Sequence, residues 1–108
     1  MSDPFSSKVI GIQPKHTFVY DGTRVNIFHA DKGQGLPRHD HVYSHATVVY
    51  NGKVKCTKEN FELIMDKNTT PIVLKGGEWH ELEAMEDGTV FSNIFAEEFM
   101  KTDTYNKA

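Results

Sequence analysis

The stretch "RHDHVYSHATVVYNG" places three of the chain's six histidines, His39, His41 and His45, within seven residues. Neutral imidazole is a strong ligand for first-row transition metals, and several rings held together offset the cost of gathering them. Residues two apart on a strand point the same way, so His39, His41, Tyr43 and His45 share one face if the extended run is unbroken. A fourth candidate, His80 in "GGEWHELEA", follows a Gly-Gly turn at the start of another run and can complete a site from across a barrel. The alternative for each ring is a solvent-facing histidine or one hydrogen-bonded in a core. Four histidines around tetrahedral zinc would close the shell, whereas an octahedral ion would keep two positions for water or substrate. His16 and His29 belong to no cluster in the sequence and are read as surface or supporting residues.

Positioning such a set falls to short β-rich runs separated by turn residues. "HTFVYDGTRVNIFHA" reads as two strands around Asp21-Gly22, and "HATVVYNGKVKCT" as two around Asn51-Gly52, both dipeptides suited to tight hairpins. "FELIMD", "PIVLKGGEWHELEAM" and "TVFSNIFAEEF" continue the series, giving about eight strands, no long helix, and an antiparallel sandwich or small barrel. Alternation puts Tyr43 and Thr47 on the ligand face of one run and Leu82 and Ala84 on that of the His80 run. Phe91, Asn93 and Phe95 face inward together, with the opposite parity of Val90, Ser92 and Ile94 as the alternative. The expected pocket is Tyr43, Thr47, Leu82, Phe91, Asn93 and Phe95. Tyr43 is its candidate catalytic residue, a proton or hydrogen-bond donor to substrate, against the alternative of simple packing. Glu78 and Glu81 flank His80 but point away from it by parity.

The 108 residues fit one domain spanning 1–108, with polar ends "MSDPFSS" and "KTDTYNKA". No leader-like apolar segment or membrane-length stretch is present, so a cytoplasmic protein without a membrane partner is expected. Cys56 is the lone cysteine, which excludes an internal disulfide and every multi-cysteine metal or redox motif, and it reads as a buried thiol. A net charge of -3 with scattered lysines offers no basic face for nucleic acid. The "NTT" at Asn68 is read as a turn. No HExxH, GxSxG, GxxxxGK or zinc-deaminase signature occurs, so a metal carries the chemical case.

The histidine stretch resembles the first motif of the cupin family. That motif is glycine, five residues, HxH, three or four residues, glutamate, six residues, glycine. Gly33, His39-Asp40-His41, His45 and Gly52 keep the spacing, with histidine in place of the glutamate. "LKGGEWHELEA" is similar to the second motif in Gly77 and His80, but Lys75 stands where proline is usual and Ala84 where asparagine is usual. The resemblance covers roughly residues 24 to 97. It implies an all-β double-stranded β-helix, the cupin jelly-roll barrel, with His39, His41, His45 and His80 as ligands of one divalent metal. A histidine at position 45 is similar to the small, single-domain four-histidine subgroup associated with manganese; iron, nickel, copper and zinc remain alternatives. Four neutral ligands leave the full double charge in the barrel, which favours an anionic or enolisable oxygen ligand. The expected function is a metal-dependent enzyme of oxygenase or isomerase type acting on a small oxygenated molecule. The competing expectations are a non-catalytic cupin that binds or senses a small molecule or metal, and a closed structural zinc site. The expected partners are a small-molecule ligand and, because cupins commonly pair, a second copy in a homodimer.

Overall fold

The computed structural model describes residues 8–39 and 43–97. They form ten strands: β1 (Ile10–Gly11), β2 (His16–Tyr20), β3 (Thr23–Ala30), β4 (Gln34–His39), β5 (His45–Asn51), β6 (Val54–Lys58), β7 (Phe61–Met65), β8 (Ile72–Leu74), β9 (His80–Ala84) and β10 (Thr89–Ala96). That is two more than the runs in the sequence suggest. The additions are β1, a two-residue strand parallel to β4, and β4, which the histidine stretch had seemed to share with β5. No helix among the described residues is long and apolar enough to cross a membrane.

Two five-stranded sheets face each other, in the orders β1-β4-β9-β6-β7 and β2-β3-β10-β5-β8. Asp21 and Gly22 take φ of 50° and 77°, the pair of positive values that a two-residue hairpin needs, and join β2 to β3 as expected. Asn51-Gly52 does not make a hairpin. β5 pairs with β8 and β10, β6 with β7 and β9, so the turn carries the chain from one sheet to the other. Only Gly52 of the two has positive φ, and a Cβ there would run into Thr89; the Asn51 amide donates to the Gly88 carbonyl at 2.8 Å. The local signal for a turn was right, but packing against the Gly88–Thr89 corner selects a crossover.

The run from His39 to His45 is also not one strand. The register of β4 against β9 slips between Leu36 and His39, around Pro37, which has no N–H to offer a ladder. β4 ends at His39, and β5 begins at His45 in the opposite sheet. His41 lies outside the described residues, as do both polar ends.

Inward positions alternate along each strand and change character along it. His45, Thr47 and Val49 of β5 are buried, as are His80, Leu82 and Ala84 of β9, and Thr89, Phe91, Asn93 and Phe95 of β10. The apolar ends merge with Phe28, Ala30, Val54, Cys56, Met65 and Leu74 into one core. Histidine, threonine and asparagine occupy the other end of the same strands, so the barrel has an apolar floor and a polar end above it.

Candidate metal centre

Three of the four histidines meet at that polar end. His39 and His80 are register partners on β4 and β9, with ring centroids 4.5 Å apart at 66°. His45 reaches them from the opposite sheet. Its Nε2 lies 3.3 Å from Nε2 of His80, and both rings are buried, at 3% and 0% exposure. The convergence expected from parity on one strand is thus achieved across two sheets.

Hydrogen bonds at the other nitrogen orient each ring. His39 Nδ1–H donates to the Pro37 carbonyl at 2.6 Å, and His80 Nδ1–H to the Glu78 carbonyl at 3.2 Å. Carbonyls only accept, so these contacts place the proton on Nδ1. The Thr47 hydroxyl donates to Asn93 Oδ1 at 2.8 Å and therefore accepts from His45 Nδ1–H at 3.2 Å. With Nδ1 the donor in each ring, His45 and His80 turn Nε2 lone pairs toward one another, an arrangement that calls for a cation or a shared proton between them. Two metal–nitrogen bonds of about 2.1 Å at 90–110° put their nitrogens about 3.0–3.4 Å apart. The 3.3 Å separation fits that span. Among the described residues no three His, Cys, Asp or Glu side chains form a metal cage by themselves. The four-histidine set includes His41, outside those residues.

The other expected pocket residues divide by depth. Thr47 and Asn93 are buried cross-strand partners that hold His45. Tyr43 sits in the bend before β5, its ring 4.7 Å from Phe95 and 6.5 Å from His45. Leu82 and Phe91 belong to the apolar core, where Phe91 stacks on Phe28 at 5.0 Å. Glu81 lies beside Arg38, Oε1 to Nε 3.6 Å, while the Arg38 guanidinium covers the Trp79 ring at 4.1 Å. Glu78 pairs with Lys58 at 3.5 Å.

Two neighbourhoods escaped the sequence reading. Lys58 is the Cα partner of His80 and so faces the same side of its sheet, and only the β6–β9 register reveals it. His16 and His29, read as unclustered, have ring centroids 5.8 Å apart. Counting back from Asp21-Gly22 would have shown this, because it sets His16 opposite Ile27, two residues from His29. Cys56 is fully buried, and burial pushes its thiol up to about 11.

No family model and no curated protein matches this chain. Solved structures do. A cupin-2 domain protein from Shewanella frigidimarina is 12% identical, with a TM-score of 0.63 over 79% of this chain and 83% of that one. A double-stranded β-helix protein from Klebsiella pneumoniae is 18% identical, with a TM-score of 0.63 over 79% and 73%. A conserved protein of unknown function from Streptococcus pyogenes is 22% identical, with a TM-score of 0.65 over 82% and 80%. At such identities the likeness is one of architecture, and with two facing sheets of this topology the chain has the double-stranded β-helix fold of the cupins.

Proposed function

We propose that the chain is a metal-binding cupin in which His39, His41, His45 and His80 hold one divalent transition metal, manganese before iron, nickel, copper or zinc. The observation that carries this reading is the buried 3.3 Å approach of His45 Nε2 to His80 Nε2, with both Nδ1 atoms committed elsewhere. The metal would supply Lewis acidity toward a chelated oxygen, and we assign the chain to oxygenase or isomerase chemistry on a small oxygenated molecule. Within that chemistry Thr47 and Asn93 hold the His45 ring, and the Pro37 and Glu78 carbonyls hold those of His39 and His80. Tyr43 and Phe95 form an aromatic wall beside His45, with the Tyr43 hydroxyl the proposed donor to substrate.

A second reading, a cupin that binds a small molecule or metal without turnover, is favoured by the carboxylates. Glu78 and Glu81 are engaged by Lys58 and Arg38 rather than aimed between the rings. Metal-loaded protein incubated with diketone, enol and sugar-acid panels under oxygen monitoring separates the two. Turnover supports the enzyme; ligand-induced thermal stabilisation without turnover supports the binding module. Failure to retain any divalent metal overturns the enzyme reading, and the absence of any ligand-induced stabilisation as well overturns the second.

A further inference from the structure

Thr17, Asn26, Asn93 and Thr47 are successive register partners on β2, β3, β10 and β5, so they form a row on the same inner face that Phe28 and Phe91 bury. Each threonine donates to the asparagine beside it, Thr47 Oγ1 to Asn93 Oδ1 at 2.8 Å and Thr17 Oγ1 to Asn26 Oδ1 at 2.6 Å. Both lengths are those of O–H···O bonds, and the shorter lies below the usual range for an amide N–H donor. The hydroxyl directions are fixed from outside the row, because each threonine oxygen also takes an N–H. Thr47 accepts from His45 Nδ1 at 3.2 Å, and Thr17 from Arg24 Nη1 at 2.8 Å. With both Oδ1 atoms engaged, the two amides present Nδ2 as donors, and no described residue accepts from either. Asn93 is only 7% exposed, so its N–H groups are set beside His45 and largely shielded from bulk water.

We infer that Asn26 and Asn93 form a carboxylate subsite, an inference that rests on the metal-centre reading and narrows its substrate to a small oxoacid with a second, remote carboxylate. Buried donors in folded proteins are nearly always met, and here two amides on adjacent strands, about 5 Å apart, leave theirs open. A hydroxyl or amine would bring protons of its own to a row whose amide oxygens are already occupied. The row suits a group that only accepts. A carboxylate is such a group, and its charge strengthens each bond it receives. Negative charge is admissible because Arg24 holds Glu97 bidentately, Nε to Oε2 at 2.9 Å and Nη2 to Oε1 at 2.8 Å, so the neighbouring acid is matched by its own cation. Thr47 joins the subsite to the metal centre, touching Asn93 on one side and His45 on the other. A ligand chelated through its oxo acid end would thus lay its remote carboxylate on the paired amides.

Titration calorimetry on the full chain incubated with manganese tests this with 2-oxoglutarate and 2-oxopentanoate, which share the chelating oxo acid and differ by a methyl group in place of the remote carboxylate. The wild type should bind 2-oxoglutarate about 10–100-fold more tightly. Asn26→Leu removes the donor without adding charge, and Asn26→Asp keeps the oxygen that accepts from Thr17 but replaces the donor with an acceptor. Both should erase the preference while binding 2-oxopentanoate as the wild type does. Equal affinities in the wild type overturn the subsite, and so does a preference that persists in folded Asn26→Leu or Asn26→Asp. Should neither variant fold, the wild-type affinity ratio decides alone. Elemental analysis reads the metal separately. Retained manganese with equal affinities sinks the subsite and leaves the metal centre standing; a preference for 2-oxoglutarate in protein that retains no metal does the reverse.

Discussion

His45 and His80 bring their Nε2 atoms within 3.3 Å although their strands belong to opposite sheets. With both Nδ1 atoms donating elsewhere, two acceptor nitrogens face each other, so the rings are interdependent through whatever cation or proton they share. His45→Ala or His80→Ala should abolish stoichiometric binding of divalent metal, measured by elemental analysis after dialysis. The loss should exceed the ~10–100-fold that removal of a supporting group costs. Circular dichroism separates this from unfolding, and full metal retention by either variant would count against the proposed centre.

Thr47 acts one step back from the rings. Its hydroxyl links Asn93 Oδ1 to His45 Nδ1 in a fully buried setting. Thr47→Val keeps the volume but removes that link, so it should cost about 1–3 kcal/mol in denaturant unfolding. Metal affinity should fall about 10-fold, while Thr47→Ser should retain most of both. A drop in stability with unchanged affinity would show that the network does not position His45.

The fold was legible because its signals are local and repeated. Alternation along His45-Thr47-Val49 and His80-Leu82-Ala84 needs only neighbouring residues, and glycines punctuate the runs. What failed was whatever depends on partner choice. Asn51-Gly52 has the composition of a hairpin, yet packing on Thr89 sends the next strand to the other sheet. His39 and His45 were drawn together as members of one strand; they meet instead through His80, which is paired to one and faces the other. Lys58 beside His80 depends on the β6–β9 register, which no single stretch of sequence contains, whereas His16 beside His29 follows from the Asp21-Gly22 hairpin once its register is counted.

Gly35 tests how closely β4 must approach β9. A Cβ at this position would strike the Leu82 carbonyl oxygen, which is backbone and cannot swing aside. Gly35→Ala should therefore push β4 off β9 and separate His39 from its register partner His80. Destabilisation on the order of 3 kcal/mol is expected in urea unfolding, with weakened metal binding. Gly77→Ala provides the comparison: its φ of 87° is costly for alanine, but nothing lies within 4 Å of the added carbon. That variant should lose only about 1 kcal/mol. Equal losses would mean that backbone strain, rather than the collision, sets the cost.

Cys56 gives the stability a defined alkaline limit. The thiol is fully buried on β6, and burial raises it to about 11 from the ordinary thiol range. Because the folded value lies above the unfolded one, the unfolded chain loses this proton first as pH rises. The thiol's contribution is complete below about pH 8.5 and declines as pH climbs through 9 toward 11. The full loss is on the order of 2–3 kcal/mol. Urea unfolding of the wild type and Cys56→Ala across this range should show a steeper decline for the wild type, the difference cancelling the background from lysine and tyrosine titration. Ellman's reagent should find the thiol unreactive in the native protein at pH 8 and fully reactive in denaturant. Parallel pH profiles for the two proteins, or prompt native labelling, would show that the core around Cys56 opens more readily than its burial implies.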